Sequence, residues 1–410
     1  MAKSMKTPPD DVVREILLRL DDVVTLFRCA ATCKHWRRLV AEPSFLLRRR
    51  WPPSLAGFFT QRSLVMRFPG TSPTDSSSQL AFVPAPSSPS SLFGPDRRLL
   101  TSFVPNTDAP VVDRAVPLVT RGGLLLVRLY RHDDDPEPNV LRLAVCDTLA
   151  GRWDVLPELD CSCRFGNSDP CGRAIILSSS GEDRPAFRVL LIGADKYKSQ
   201  FNLHRFASSE RSWSAPAKCF NMMEHQIWFM EEENAVMCRG NAHWLCVSNS
   251  HRFHVLTVDV ETGHVSLTKL VCPFVPPTMA DHMRLNRLST TVDGALLSLC
   301  VYRGRQLEIW TQQQDNKDRS RDGDAEWLRT RVIDQKLSKV IQQSGCPSCI
   351  WSGERSGTLL VTDYASGGMY IAHLNTTTLE EVTDRFRDCN VIVPMEIDWP
   401  TFFMTRLGSL

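Results

Sequence analysis

Four segments of the chain share one shape: "VCDTLAGRWDVLP" (145–157), "RFASSERSWSAP" (205–216), "TVDVETGHVSL" (257–267) and "AHLNTTTLEEVTD" (372–384). Each is an apolar run, then a polar turn with Asp, Asn or Ser near its start, then a second run that often opens on Trp. They recur at roughly 50 to 60 residues, and "LEIWTQQQDN…EWLRTRVID" fills the gap before the last with an enlarged turn. Further short β-like runs, among them "GLLLVRLY", "FRVLLIG", "HWLCV", "ALLSLCVY" and "TLLVTDY", lie before and between the copies. Helical periodicity is nearly absent from residue 99 onward until "DQKLSKVIQQSG" (334–345).

A period near ~50 residues with four short strands per unit is the signature of a kelch-like β-propeller, here with about six degenerate blades. A single β-sandwich spread over about three hundred residues would be unusually large. Strand-like sequence also stands at 54–68 ("SLAGFFTQRSLVMRF") and within 390–410 ("VIVPMEIDWPTFFMTRL", 391–407). The two ends are therefore expected to share one blade, the last residues supplying the ring-closing strand. Residues 69–98, rich in Pro and Ser, read as a loop or linker.

Residues 7–50 are different in kind. Thr7 can cap a first helix with Pro8 at its first position and Asp10 reaching back, and Val12, Val13, Ile16, Leu17 and Leu20 then share an apolar face. Asp21 or Asp22 restarts a second helix, and Thr32 caps a third that carries Cys33, Trp36, Leu39 and Val40 until Pro43 stops it. "SFLLRRRW" adds a further turn or two. The fold class is thus α+β multidomain: a small three-helix module over 7–50, then an all-β domain over 51–410. Three helices this short make too small a core to stand alone, so their surplus apolar faces call for a partner.

Composition narrows the function. A formal net charge of +2 offers no strongly basic surface for nucleic acid. No stretch approaches the ~20 apolar residues of a membrane span, and no signal peptide is visible at "MAKSMKTPPDD". The 14 cysteines are scattered and read as reduced thiols, placing the protein in the nucleus or cytoplasm rather than outside the cell. Cys346 and Cys349 form a C-x-x-C, and Cys161, Cys163 and Cys171 a second cluster, but neither supplies the four ligands that zinc needs. His251 and His254 would point to opposite faces of a strand. The acidic runs Asp133–Asp135 and Glu231–Glu233 read as solvated loops, and Trp228, Phe229 and Trp244 as core. No nucleophile elbow, phosphate loop, dinucleotide fingerprint or H-E-x-x-H occurs, so no catalytic residue, metal or cofactor is expected.

The first fifty residues also carry a resemblance. "PPDDVVREILLRLDDVVTLFRCAATCKHWRRLVAEPSFL" (8–46) resembles the F-box, with Pro9, Asp11, Ile16, Leu17, Leu20, Cys33, Lys34, Trp36, Leu39, Pro43 and Phe45 at matching positions. It departs at Pro8, where Leu is usual, and at Asp21-Asp22. The remainder, in "GRWDVLP", "HWLCV" and "ERSGTLLV", is similar to the F-box-associated domains of plant, especially grass, F-box proteins. The resemblance implies a non-catalytic substrate receptor of a Skp–cullin–F-box ubiquitin ligase. Its helices bind a Skp-family adaptor, and through it a cullin scaffold, while the β domain holds a protein target. The implied adaptor face is Pro9, Val12, Ile16, Leu17, Leu20, Cys33, Lys34, Trp36 and Leu39. Two readings compete: a propeller enzyme or glycan-binding lectin with a helical cap, and an F-box protein that recruits no target.

Overall fold

The computed structural model describes residues 8–20, 22–49, 51, 54–62, 80–86, 98–104, 115–129, 140–160, 174–179, 186–195, 199–229, 235–250, 252–270, 286–290, 296–302, 306–312, 327–334, 347–353, 356–363, 368–373, 378–386 and 389–408. The chain begins with helices α1 (Asp10–Leu18), α2 (Val23–Thr32), α3 (Lys34–Ala41) and α4 (Pro43–Arg48). The cap of α1 is Pro9, which has no side-chain acceptor; Thr7 lies outside the described residues. The expected reach of Asp10 back to Thr7 therefore also falls outside the described residues. Among the described residues Asp10 faces α3, 3.2 Å from His35 Nε2 and 3.8 Å from Arg38 Nη2.

Asp22 caps α2, accepting from the backbone N–H of Val24 at 3.2 Å and of Thr25 at 2.8 Å. The Thr25 hydroxyl, also donating to it, holds its carboxyl below the usual range. The expected Thr32 cap is displaced by one residue. Thr32 ends α2 by donating to the Cys29 carbonyl, and Cys33 Sγ accepts from Trp36 N–H at 3.4 Å to open α3. Pro43 both stops α3 and starts α4, since proline loses no helical hydrogen bond in the first turn.

Six antiparallel sheets of four or five strands follow among the described residues, with one two-stranded ribbon, Val140–Leu141 on Leu159–Asp160. The second sheet runs Val116–Arg121, Leu124–Arg128, Leu143–Asp147, Arg152–Val155. The third runs Ala174–Ser179, Ala186–Asp195, Gln200–Ala207, with Ser212–Trp213 and Ala217–Asn221 both on its last edge. The fourth is centred on Asn241–Ser248, with Ile227–Phe229 and Val236–Cys238 on one side and Phe253–Asp259 then Val265–Lys269 on the other. The fifth runs Asn286–Thr290, Leu296–Tyr302, Gln306–Gln312, Trp327–Asp334, and the sixth Pro347–Ser352, Thr358–Asp363, Gly368–His373, Thr378–Glu381.

The first sheet is composite. Ser54–Arg62, Ala81–Pro84 and Arg98–Leu99 come from the front of the chain, and Cys389–Ile397 from its end, paired from Ser54 opposite Ile397 to Arg62 opposite Cys389. Successive sheets share apolar cores. Leu126 and Leu191 join the second to the third, Ile192 and Trp244 the third to the fourth, and Leu245 and Trp310 the fourth to the fifth. Phe58 with Leu360, Ile371 and Phe386 joins the first to the sixth. Sheets that pack face to face in sequence and return to the start make a β-propeller.

The repeat seen in the sequence is the hairpin from third to fourth strand in the second to sixth sheets. In three of them the turn has one geometry. Gly151 N–H donates to Asp147 O, Arg211 N–H to Ala207 O and Gly263 N–H to Asp259 O, at 2.8, 3.0 and 2.8 Å. The donors sit at φ of 70°, 52° and 73°, where glycine is favoured. Asp147 and Asp259 reinforce two of the turns by accepting from backbone N–H groups within them.

Two expectations change. Within 69–98, Ala81–Pro84 is a fully buried strand of the first sheet rather than loop. Its approach to the next strand is so close that a Cβ on Gly57 would lie 2.4 Å from Val83 O and 2.6 Å from the Phe82 ring. At the other end only Cys389–Ile397 is strand; Asp398 then turns the chain into a helix, Trp399–Gly408. The helix expected within 334–345 falls almost wholly outside the described residues.

Candidate functional site

Helix α1 presents two stripes. Val13 and Leu17 turn inward at 4% and 1% exposure, whereas Pro9, Val12 and Ile16 lie open, the last two at 47% and 55%. A helical repeat of 3.6 residues sets these stripes side by side, so the outer one is a continuous apolar strip rather than scattered side chains. Cys33 and Lys34, at the start of α3, are also exposed, and Leu20 and Trp36 are half-buried against the core. Leu17 and Leu39, the latter at 0%, offer no surface to a second protein. They pack α1 and α3 together within the module.

Polar contacts fix the arrangement. Arg14 on α1 reaches Glu42, between α3 and α4, at 2.6 Å with both side chains two-thirds covered. Arg49 is buried, points a guanidinium N–H at the Leu17 carbonyl (3.5 Å) and lies 5.0 Å from the Trp51 ring. A cation here sits at the negative end of the α1 dipole and over an aromatic face at once. Trp51 in turn donates its indole N–H to the Leu46 carbonyl at 2.8 Å.

Part of the module's surplus apolar surface finds its partner within the chain. Phe402 and Phe403 of the C-terminal helix stack on Phe27 of α2 at 5.7 and 5.8 Å, and Phe403 on Trp51 at 5.1 Å. One buried cluster runs from Val13, Leu26, Leu39 and Phe45 through the first and second sheets to Trp399 and Leu407. The sequence reading missed this helix. Its signal was present: Trp399, Phe402, Phe403 and Leu407 stand at i, i+3, i+4 and i+8.

On the propeller, Trp244 and Phe229 are core, whereas Trp228 is 37% exposed and departs from its expected burial. Cys161, Cys163, Cys171, Cys346, His251 and both acidic runs lie outside the described residues; Cys349 and His254 fall on strands of the sixth and fourth sheets. Among the described residues no three His, Cys, Asp or Glu side chains are placed to hold a metal ion, and no helix is long and apolar enough to cross a membrane. His243 is buried beside Thr257, its Nδ1 3.0 Å from the hydroxyl, and burial pushes its pKa down to about 4.

Comparison with known proteins gives two family matches. An F-box-like family model matches residues 9–51, and the model of a domain of unknown function (DUF7595) matches residues 95–387. No curated protein matches the chain. Among solved structures it is similar to a nidogen/laminin complex (9% identity, 82% of this chain and 97% of that one, TM-score 0.39). It is also similar to a putative 6-phosphogluconolactonase from Bacteroides uniformis (9%, 83% and 97%, 0.37). A third is the α-L-arabinofuranosidase of Fusarium graminearum with an iminosugar inhibitor (11%, 67% and 82%, 0.34).

Proposed function

Because the chain belongs to the family of the domain of unknown function (DUF7595), with an F-box-like segment ahead of it, we propose that it is the substrate-receptor subunit of a Skp–cullin–F-box ubiquitin ligase. The observation that carries this reading is the open strip of Pro9, Val12 and Ile16 on a module whose own core is already complete. Apolar side chains in a row on a surface helix cost solvation free energy in the free protein and regain it when a partner helix covers them. In this reading that partner is a Skp-family adaptor, which brings the cullin scaffold, with Leu20, Cys33, Lys34 and Trp36 at the edge of the contact. The propeller, its six sheets taken as six kelch-like blades, holds a protein target for ubiquitin transfer by other subunits. The chain itself performs no chemistry and works in the nucleus or cytoplasm. Its similarity in sequence to the F-box proteins of grasses belongs to the same proposal.

The test is co-purification of the full chain with a Skp-family adaptor, alone and with cullin added. A stable adaptor complex that Val12→Arg abolishes is expected. Failure of the unaltered chain to bind, where a known F-box protein binds, would sink the reading.

A further inference from the structure

The helix Trp399–Gly408 is tied to three parts of the molecule. At its start, a single residue, Asp398, separates it from the ring-closing strand Cys389–Ile397, and Asp398 accepts from Phe402 N–H (2.9 Å) and Thr401 Oγ1 (3.1 Å). Along its length, Phe402 and Phe403 clasp Phe27 of α2, and Phe403 covers Trp51 beyond α4. Near its end, Arg406 donates to the Thr148 carbonyl at 3.3 Å, in the last hairpin of the second sheet. Trp399 and Phe403 are 1% and 0% exposed, so these contacts are core rather than surface touches.

We propose that this helix is the fourth wall of the helical module, and that it sets where the Pro9–Val12–Ile16 strip stands relative to the propeller. Trp399, Phe402, Phe403 and Leu407 are positioning residues: their helix packs against α2, α3 and α4, and α1, which carries the strip, rests on α3. The module is therefore held by the strand that closes the ring. An adaptor bound at one end and a target bound on the propeller are thus kept at a fixed distance and angle. The effect on adaptor binding rests on the receptor reading above; the effect on the helices does not.

The experiment uses the full chain with Phe403→Ala and Phe403→Leu, and two readouts. Amide hydrogen exchange in α2 and α3 is expected to rise at least about tenfold in Phe403→Ala with the third and fourth sheets unchanged, because local opening follows lost local packing. Affinity for a purified Skp-family adaptor is expected to fall about tenfold. Phe403→Leu, which restores most of the buried volume, should recover most of both. If Phe403→Ala does not fold, Arg406→Gln, which removes the tie to Thr148, takes its place with the same expected directions. Unchanged exchange in α2 and α3 overturns the proposal outright. Raised exchange with undiminished adaptor affinity overturns its positioning half. An unaltered chain that binds no adaptor refutes the receptor reading instead, and the exchange measurement still decides whether the helix completes the module.

Discussion

Ile16 and Leu17 are adjacent on α1 and nearly equal in size and hydrophobicity, yet the fold gives them opposite duties, and substituting each separates the two. Ile16 is 55% exposed, so a little over half of its surface is available to a partner. Full burial of such a side chain is worth ~1.5–3 kcal/mol, so Ile16→Ala should weaken adaptor binding by about 1 kcal/mol, roughly fivefold. Ile16→Asp adds a carboxylate under an apolar cover with no counter-charge, raising the loss to about 3–4 kcal/mol, or roughly 10²–10³-fold. Neither change should lower folding stability by more than ~0.5 kcal/mol, the usual bound for surface sites. Leu17, 1% exposed, behaves in reverse: Leu17→Ala opens a cavity worth ~2–5 kcal/mol of stability. At a temperature where that variant remains folded, it binds within about threefold of the unaltered chain if the packing relaxes locally. Titration calorimetry against a Skp-family adaptor and urea unfolding give the two numbers for each variant. A Leu17→Ala chain that is folded yet binds as poorly as Ile16→Asp, or an Ile16→Asp chain that binds normally, refutes the division of the helix into an inner and an outer stripe.

His243 makes stability depend on pH. Burial keeps it neutral with a pKa of about 4 against 6.5 for the unfolded chain, so the unfolded state takes up the proton first and stability falls as pH drops from 6.5 towards 4. The loss reaches ~2 kcal/mol at pH 5 and ~3 kcal/mol below pH 4, and His243→Gln should remove that part of the difference between urea midpoints at pH 7.5 and pH 5. Gly57→Ala places a methyl group against Val83 O and the fully buried Phe82 ring, and should cost about 2–3 kcal/mol in thermal or chemical unfolding; an unchanged midpoint would mean the first sheet is not paired as described. Asp22→Ala removes the side-chain cap of α2 and should cost ~0.5–2 kcal/mol, with Asp22→Asn recovering most of it.

Which parts of this were legible in advance follows from the range of the forces involved. The hairpins of the second to sixth sheets could be read because their turns are local: Asp147 and Asp259 bond to backbone within four residues, and glycine supplies the positive φ. The shared first blade was legible from strand-like sequence at both ends. The strand Ala81–Pro84 was hidden because it ends on one proline, a second follows at Pro86 and its neighbours are serine-rich, so composition outvoted a four-residue apolar run. The inner and outer stripes of α1 could not be told apart from periodicity, since Val12, Val13, Ile16 and Leu17 make one broad apolar arc. Only the direction from which α3 packs divides it. The C-terminal helix failed for a related reason. Its apolar spacing follows directly on a strand, and what gives it a purpose lies more than three hundred residues upstream, beyond any local signal.

That separation has a consequence for how the protein is made. A ribosome adds about 5–20 residues per second, so roughly 370 residues of further synthesis, some 20–70 s, pass between the emergence of α2 and of the helix that covers it. Throughout that interval Phe27 and Trp51 have no Phe403 to stack on, and the first sheet lacks its inner strand. Until the last strand and helix appear, these apolar side chains are open to contacts with other chains. A message cut short before codon 389 would yield a product with an open ring and an uncovered helical module, exposed surface by which quality control can recognise it.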